Sequence, residues 1–205
     1  MILKVCGMRE EENIREVAEL PIDWMGFIFY PPSSRFVSIL PHFLPEPEMR
    51  TGVFVNENIQ RMLQIASYFG LRNIQLHGDE SPTLCALLRQ QGYRVVKAIN
   101  IRSEVDIERV RDYESVCDYA LFDTPCAQRG GSGKKFDWKL LEQYDGKLPF
   151  LLSGGIGPGD IEALQEFVHP QLAGYDLNSR FEKRPAYKDA ALLKSFIQQI
   201  RNKQL

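Results

Sequence analysis

Short apolar runs alternate with longer amphipathic stretches from one end of the chain to the other. The runs at 2–5, 24–29, 51–55, 73–76, 94–99, 119–122, 150–152 and 174–176 are mostly bounded by Gly, Pro, Asn or Asp, which predicts eight strands. Between them the apolar positions recur with helical spacing. Ile14, Val17 and Ala18 share a face of a helix predicted over 10–20, and Ile59, Met62, Leu63 and Ala66 share one over 59–68. Similar patterns cover 82–91 and 107–113. The clearest helix is predicted over 186–201, with Leu192, Leu193, Phe196, Ile197 and Ile200 on one stripe. Ser81-Pro82 reads as an N-cap followed by proline in the first turn, and Gly157-Pro158 as a weaker version of the same signal. Residues 31–47 carry five prolines, so a loop and a short or irregular second helix are expected there.

Strand–helix alternation of this kind implies a parallel sheet with right-handed crossovers. Eight units favour closure into a single α/β domain over residues 1–205, a (β/α)₈ TIM barrel. The 205 residues lie near the lower limit of roughly 200 for that fold. An open doubly wound sheet is the alternative. It normally shows Gly-x-Gly-x-x-Gly after its first strand, where this chain has Cys6-Gly7-Met8-Arg9.

Composition changes this picture little. The chain is 44% hydrophobic and 25% charged with a formal net charge of −2, and its Lys and Arg are spread out, which argues against a nucleic-acid partner. No apolar run approaches the roughly 18 residues that span a membrane, and the first residues enter a strand directly, so a cytoplasmic protein is expected. Four cysteines without a Cys-x-x-Cys pair and three scattered histidines suggest free thiols and no metal site.

In such barrels the chemistry sits where the strands end. Those ends are Cys6, the loop leading to Arg35, Asn56, Gln75 and His77, Asn100, Asp123, Gly154-Gly155, and Asp176 to Ser179. The seventh and eighth ends suit a phosphate, because glycines let backbone N–H groups approach an anion. Cys6 and Asp123 can share acid–base work across the barrel mouth. Lys4, two residues before Cys6 on the same strand face, is placed to favour a thiolate, although a buried apolar thiol is the commoner use of cysteine. Lys97 reads as substrate contact or as a paired structural charge within the barrel. His77 reads as a substrate contact or a cap of the next helix. Arg35 has the planar fork that suits a carboxylate. Gly130-Gly131-Ser132-Gly133 reads as a mobile loop over the site or as a plain linker.

Ten short motifs in order resemble the phosphoribosylanthranilate isomerases of tryptophan biosynthesis. They include Lys4-Val5-Cys6-Gly7, Ser34-Arg35-Phe36-Val37, Gln75-Leu76-His77-Gly78, Phe122-Asp123, Ser153-Gly154-Gly155-Ile156 and Asp176-Leu177-Asn178-Ser179, the last with Glu182 and Lys188-Asp189. The resemblance implies a TIM barrel without cofactor or metal that carries out an Amadori rearrangement of a phosphosugar. It implies Asp123 as general acid, Cys6 as general base and Arg35 at the anthranilate end. Backbone amides near Gly154, Gly155 and Ser179 would hold the phosphate. From their strand-end positions Asp176 and His77 are also expected at the substrate, and a monomer or homodimer is expected. Arg180 stands where the family carries glycine, so strain is expected if that position requires positive φ. Cys6 at the first strand end speaks against the histidine-pathway barrels, which place an aspartate there. A barrel that binds a phosphosugar or a partner without catalysis is the reading from another class.

Overall fold

A computed structural model describes residues 1–123 and 138–202 of the chain. Its eight parallel strands close into a barrel in sequence order. They are β1 (Ile2–Val5), β2 (Trp24–Ile28), β3 (Arg50–Phe54), β4 (Asn73–Leu76), β5 (Arg94–Asn100), β6 (Tyr119–Asp123), β7 (Phe150–Leu152) and β8 (Leu172–Leu177). The helices are α1 (Glu11–Ala18), α2 (Ile59–Phe69), α3 (Pro82–Gln90), α4 (Glu104–Glu108), α5 (Ile161–Glu166) and α6 (Ala190–Arg201). Between β2 and β3 there is no α-helix, only a 3-10 turn at Pro47–Met49, in keeping with the prolines of that segment. A small antiparallel hairpin, β9 (Glu182–Arg184) and β10 (Tyr187–Lys188), follows β8.

Side chains alternate across each strand, and that alternation sorts the residues into two cores. Leu3, Val5, Met25, Phe27, Ile74, Leu76, Ala120, Phe122, Tyr175 and Leu177 join the outer core under the helices. Trp24, Val96, Ala98, Leu121 and Leu151 fill the barrel interior. By the same period Lys4, Cys6, Gly26, Gln75, Asp123 and Asp176 also face inward. Lys97, flanked by the interior residues Val96 and Ala98, faces outward instead.

Local signals set the helix ends. The Asn58 side chain accepts from Gln60 N at 2.9 Å, and Gly70 closes α2 at φ 57°. Ser81 Oγ accepts from Leu84 N at 3.3 Å ahead of Pro82. The last helix begins four residues later than the periodicity predicts. Pro185 and Ala186 form the hairpin turn, with Ala186 at φ 65°, and Asp189 caps α6 by accepting from Leu192 N at 3.0 Å. Leu192 consequently lies on the solvent side, while Leu193, Phe196, Ile197 and Ile200 are buried.

Closure depends on β8 meeting β1 over the register Ile2↔Gly174 to Val5↔Leu177. A Cβ built on Gly174 would lie 1.9 Å from the Ile2 carbonyl oxygen, so only glycine permits this approach. Gly174→Ala is expected to cost about 3 kcal/mol or more, because the obstruction is backbone. Gly159→Ala, with nothing within 4 Å of its Cβ, should stay within about 0.5 kcal/mol. Urea denaturation of both variants checks the contrast.

Candidate active site

Cys6 ends β1, and its amide donates to Leu177 O at 2.9 Å, which fixes it beside the end of β8. Its side chain is 4% exposed. A Cβ on Gly26 would lie 2.7 Å from Cys6 Sγ, so the glycine inside β2 provides the thiol's berth. Burial pushes the Cys6 thiol up. Lys4 and Lys188 pull it down and Asp176 adds to the rise, but burial prevails. Lys4 does face the thiol's environment, yet it does not make Cys6 a resting thiolate.

Lys4 is fully buried and pairs with Asp176 Oδ2 at 2.9 Å. Burial opposes the Lys4 charge, but Asp176 and Cys6 outweigh it and hold the ammonium above the usual lysine range. Asp176, 6% exposed, is a partner of Lys4 inside the barrel wall at the strand end where a substrate contact is expected. Burial pushes its carboxyl up as well, with Lys4 opposing and nearby Asp123 adding to the rise.

Across the mouth, Asp123 closes β6 with its carboxylate 24% exposed. Its Oδ2 lies 3.2 Å from His77 Nε2, and His77 Nδ1 lies 2.9 Å from Gln75 Nε2. His77 caps no helix, since Ser81 caps α3. By sequence Gln75 reads only as a strand end, although a glutamine between Ile74 and Leu76 in an apolar strand signals the need for a partner.

Arg35 donates to Glu182 in a two-point pair, Nε to Oε1 at 2.8 Å and Nη2 to Oε2 at 2.6 Å. Lys188 Nζ donates to the same Oε1 at 2.6 Å and to Asn178 Oδ1 at 2.7 Å. The Lys188 backbone is locked onto Asn13, whose Oδ1 accepts from Lys188 N at 2.6 Å and whose amide donates back to Lys188 O at 2.9 Å. Burial works against the Glu182 charge, but the two cations hold its carboxyl below the usual range. Two cations face one carboxylate here, which leaves a net positive corner beside Cys6. Gly7, at φ 77°, lets Arg35 and Asn178 approach within 2.5 and 2.9 Å of where its Cβ would be.

Gly154 and Gly155 follow β7 at φ 89° and 73°, a pair of conformations that favours glycine. Among the described residues nothing lies within 4 Å of a Cβ on Gly155 in this turn. The loop after β8 meets it where a Cβ on Gly157 would touch Arg180 Cβ at 3.2 Å. Ser179 and Arg180 belong to a 3-10 turn, Ser179–Phe181, and Arg180 does not have positive φ. The strain expected for arginine at this position is absent. A 3-10 turn at Pro158–Asp160 and the short α5 follow the first of these loops, and a 3-10 turn the second, so neither loop ends at a long helix.

Lys97 is settled as a structural charge, on the outer face rather than within the barrel. Its Nζ donates to Gly78 O at 2.7 Å, to Ala98 O at 3.0 Å and to Glu80 Oε2 at 3.2 Å, pinning the loop between β4 and α3. Cys126 and Gly130-Gly131-Ser132-Gly133 lie outside the described residues. No described helix is long and apolar enough to cross a membrane.

A closed parallel barrel with a thiol, a carboxylate and a cationic corner at one mouth, and a glycine turn across it, defines a barrel enzyme for a small anionic substrate. The family model for N-(5'-phosphoribosyl)anthranilate isomerase matches residues 3–199. A curated isomerase of that name from Phocaeicola vulgatus is 53% identical over 99% of both chains. A solved phosphoribosylanthranilate isomerase from Thermotoga maritima is 35% identical, with a TM-score of 0.84 over 98% of this chain and 100% of its own. Another, at 33% identity and TM-score 0.81 over 98% and 100%, was solved with reduced 1-(o-carboxyphenylamino)-1-deoxyribulose 5-phosphate. The chain belongs to the N-(5'-phosphoribosyl)anthranilate isomerase family. That membership sets aside the histidine-pathway and non-catalytic readings.

The charges around Cys6 make its titration testable by the ¹³C shift of its Cβ. The midpoint is expected above the ordinary thiol value. Lys188→Met should move it further up by removing a cation, and Asp176→Asn should move it down by removing an anion. A midpoint at or below the ordinary value would contradict the dominance of burial.

Proposed function

We propose that this chain converts N-(5-phosphoribosyl)anthranilate into 1-(2-carboxyphenylamino)-1-deoxyribulose 5-phosphate, the isomerisation step of tryptophan biosynthesis, with Asp123 as acid and Cys6 as base. The observation that carries the assignment is that both side chains face the interior at strand ends of the same mouth, three strands apart around the ring. Asp123 gives its proton to the furanose ring oxygen. The C1–O bond breaks as the anilino nitrogen's lone pair forms a C1=N iminium. Cys6, having released its thiol proton to solvent, then takes the C2 proton as a thiolate, and those electrons form the C1=C2 enolamine and neutralise the nitrogen. Tautomerisation gives the C2 ketone. One proton is delivered and one removed, with no net redox change.

The buried thiol suits the second step. A thiolate kept out of water is a stronger base, and the cationic iminium formed beside it favours its ionisation just when it is needed. The net positive corner of Arg35, Lys188 and Glu182 suits the anthranilate carboxylate, with Arg35 at the contact. The turn at Gly154-Gly155 and the amide of Ser179 take the phosphate, each N–H donating to a phosphate oxygen. We place the enzyme in the cytoplasm, as a monomer or homodimer acting on a small phosphosugar without nucleic acid, membrane, metal or cofactor. One solved relative from T. maritima is described as a monomer generated from a dimeric enzyme.

The test follows the loss of anthranilate-type fluorescence from freshly made substrate. Asp123→Asn and Cys6→Ser should each lower turnover by about 10³-fold or more, with circular dichroism unchanged. Near-normal rates in both variants would overturn the assignment.

A further inference from the structure

We propose that His77 and Gln75 are positioning residues for proton delivery by Asp123, Gln75 fixing the ring hydrogen of His77 on Nε2 so that its bond to Asp123 tightens as the acid loses its proton. The inference rests on Asp123 being the acid and deepens that reading.

The order of atoms is the argument. Gln75 is 1% exposed inside the barrel, and its amide nitrogen is 2.9 Å from His77 Nδ1. An amide nitrogen only donates, so Nδ1 must offer its lone pair. The hydrogen of a neutral ring then resides on Nε2 and points at Asp123 Oδ2, 3.2 Å away. Before the reaction that bond is made to the carbonyl oxygen of a carboxylic acid, whose transferable proton sits on Oδ1. After transfer it is made to a carboxylate, and charge-assisted bonds are about twice as strong as neutral ones. The contact thus grows in strength along the reaction coordinate, which lowers the barrier rather than merely improving binding.

The opposite amide orientation would give a different result. With Gln75 Oε1 on Nδ1, the ring hydrogen would sit on Nδ1 and Nε2 would turn a lone pair toward Asp123. That arrangement is favourable only with the acid's proton on Oδ2, aimed at His77 and away from the sugar. In the orientation of the structure Gln75 Oε1 is buried with no hydrogen-bond partner among the described residues, a desolvation cost that an apolar residue of similar size would avoid. A residue needed only for packing gains nothing from that cost. A residue needed for its amide hydrogen does.

Two measurements test the idea. In ¹⁵N spectra of the unmodified enzyme, His77 should show the Nε2–H tautomer; the Nδ1–H tautomer would overturn the proposal. In kinetics, His77→Ala should lower kcat by about 10- to 100-fold with KM changed by less than about threefold. Added imidazole should restore part of the loss. A raised KM with unchanged kcat would make His77 a substrate contact and overturn the proposal. In an Asp123→Asn background, His77→Ala should cost nothing further, because it acts through the missing acid. A full additional loss there would contradict action through Asp123. Near-normal activity of Asp123→Asn alone would instead defeat the parent assignment, and the tautomer measurement stands apart from that outcome.

Discussion

The meeting of the first strand with the last is the constraint on which the rest of this molecule depends. Eight strands form a barrel only if β8 comes back against β1, and here that seam requires the missing side chain of Gly174 beside the Ile2 carbonyl. Immediately above, Lys4 and Asp176 face each other across the same seam in the barrel wall. Removing one partner from such a pair leaves an uncompensated buried charge, a loss of about 3–5 kcal/mol. The seam also builds half of the site. It brings Cys6 beside the end of β8, and the hairpin that follows β8 folds back over it. That hairpin delivers Glu182 to Arg35 and Lys188 to the neighbourhood of the thiol.

The two halves of the mouth have opposite environments, which the proposed acid–base roles use. The Cys6 side is dry and cationic. A base that removes a proton from carbon must be strong, and a thiolate sheltered from water is stronger than an exposed one. The Asp123 side is wetter, with its carboxylate 24% exposed and His77 Nε2 at 3.2 Å. Asp176 lies between the two, neutralised by Lys4, with Asp123 and His77 both within its electrostatic reach.

Most of the fold was legible because it rests on periodicity. Alternation within strands and helical spacing between them identified all eight strands and located the mouth. The start of the last helix was misread because Ala186 continues the helical pattern while occupying a turn at positive φ, a conformation that periodicity does not encode. Strand phase also determined which lysine enters the barrel. Lys4 and Lys97 look alike in sequence, yet they stand on opposite faces of their strands. The site was legible as a set of strand ends but not as a set of partnerships. Nothing local in the sequence joins Lys4 to Asp176, Arg35 to Glu182 or His77 to Asp123, since those pairs span 172, 147 and 46 residues. Asp176 and His77 are expected at the substrate from their strand-end positions, and the sequence does not show that each also contacts another charged side chain of the mouth.

The central claim is that one sugar lies between Cys6 and Asp123. A crystal structure of this chain with the reduced product analogue tests it most directly. The account predicts the C2 carbon within about 3.5 Å of Cys6 Sγ. The oxygen released from the ring should lie at Asp123, the carboxyphenyl group at Arg35 and the phosphate at the Gly154-Gly155 turn. An analogue seated with C2 turned away from the first strand, or with its phosphate at Arg35, would contradict it.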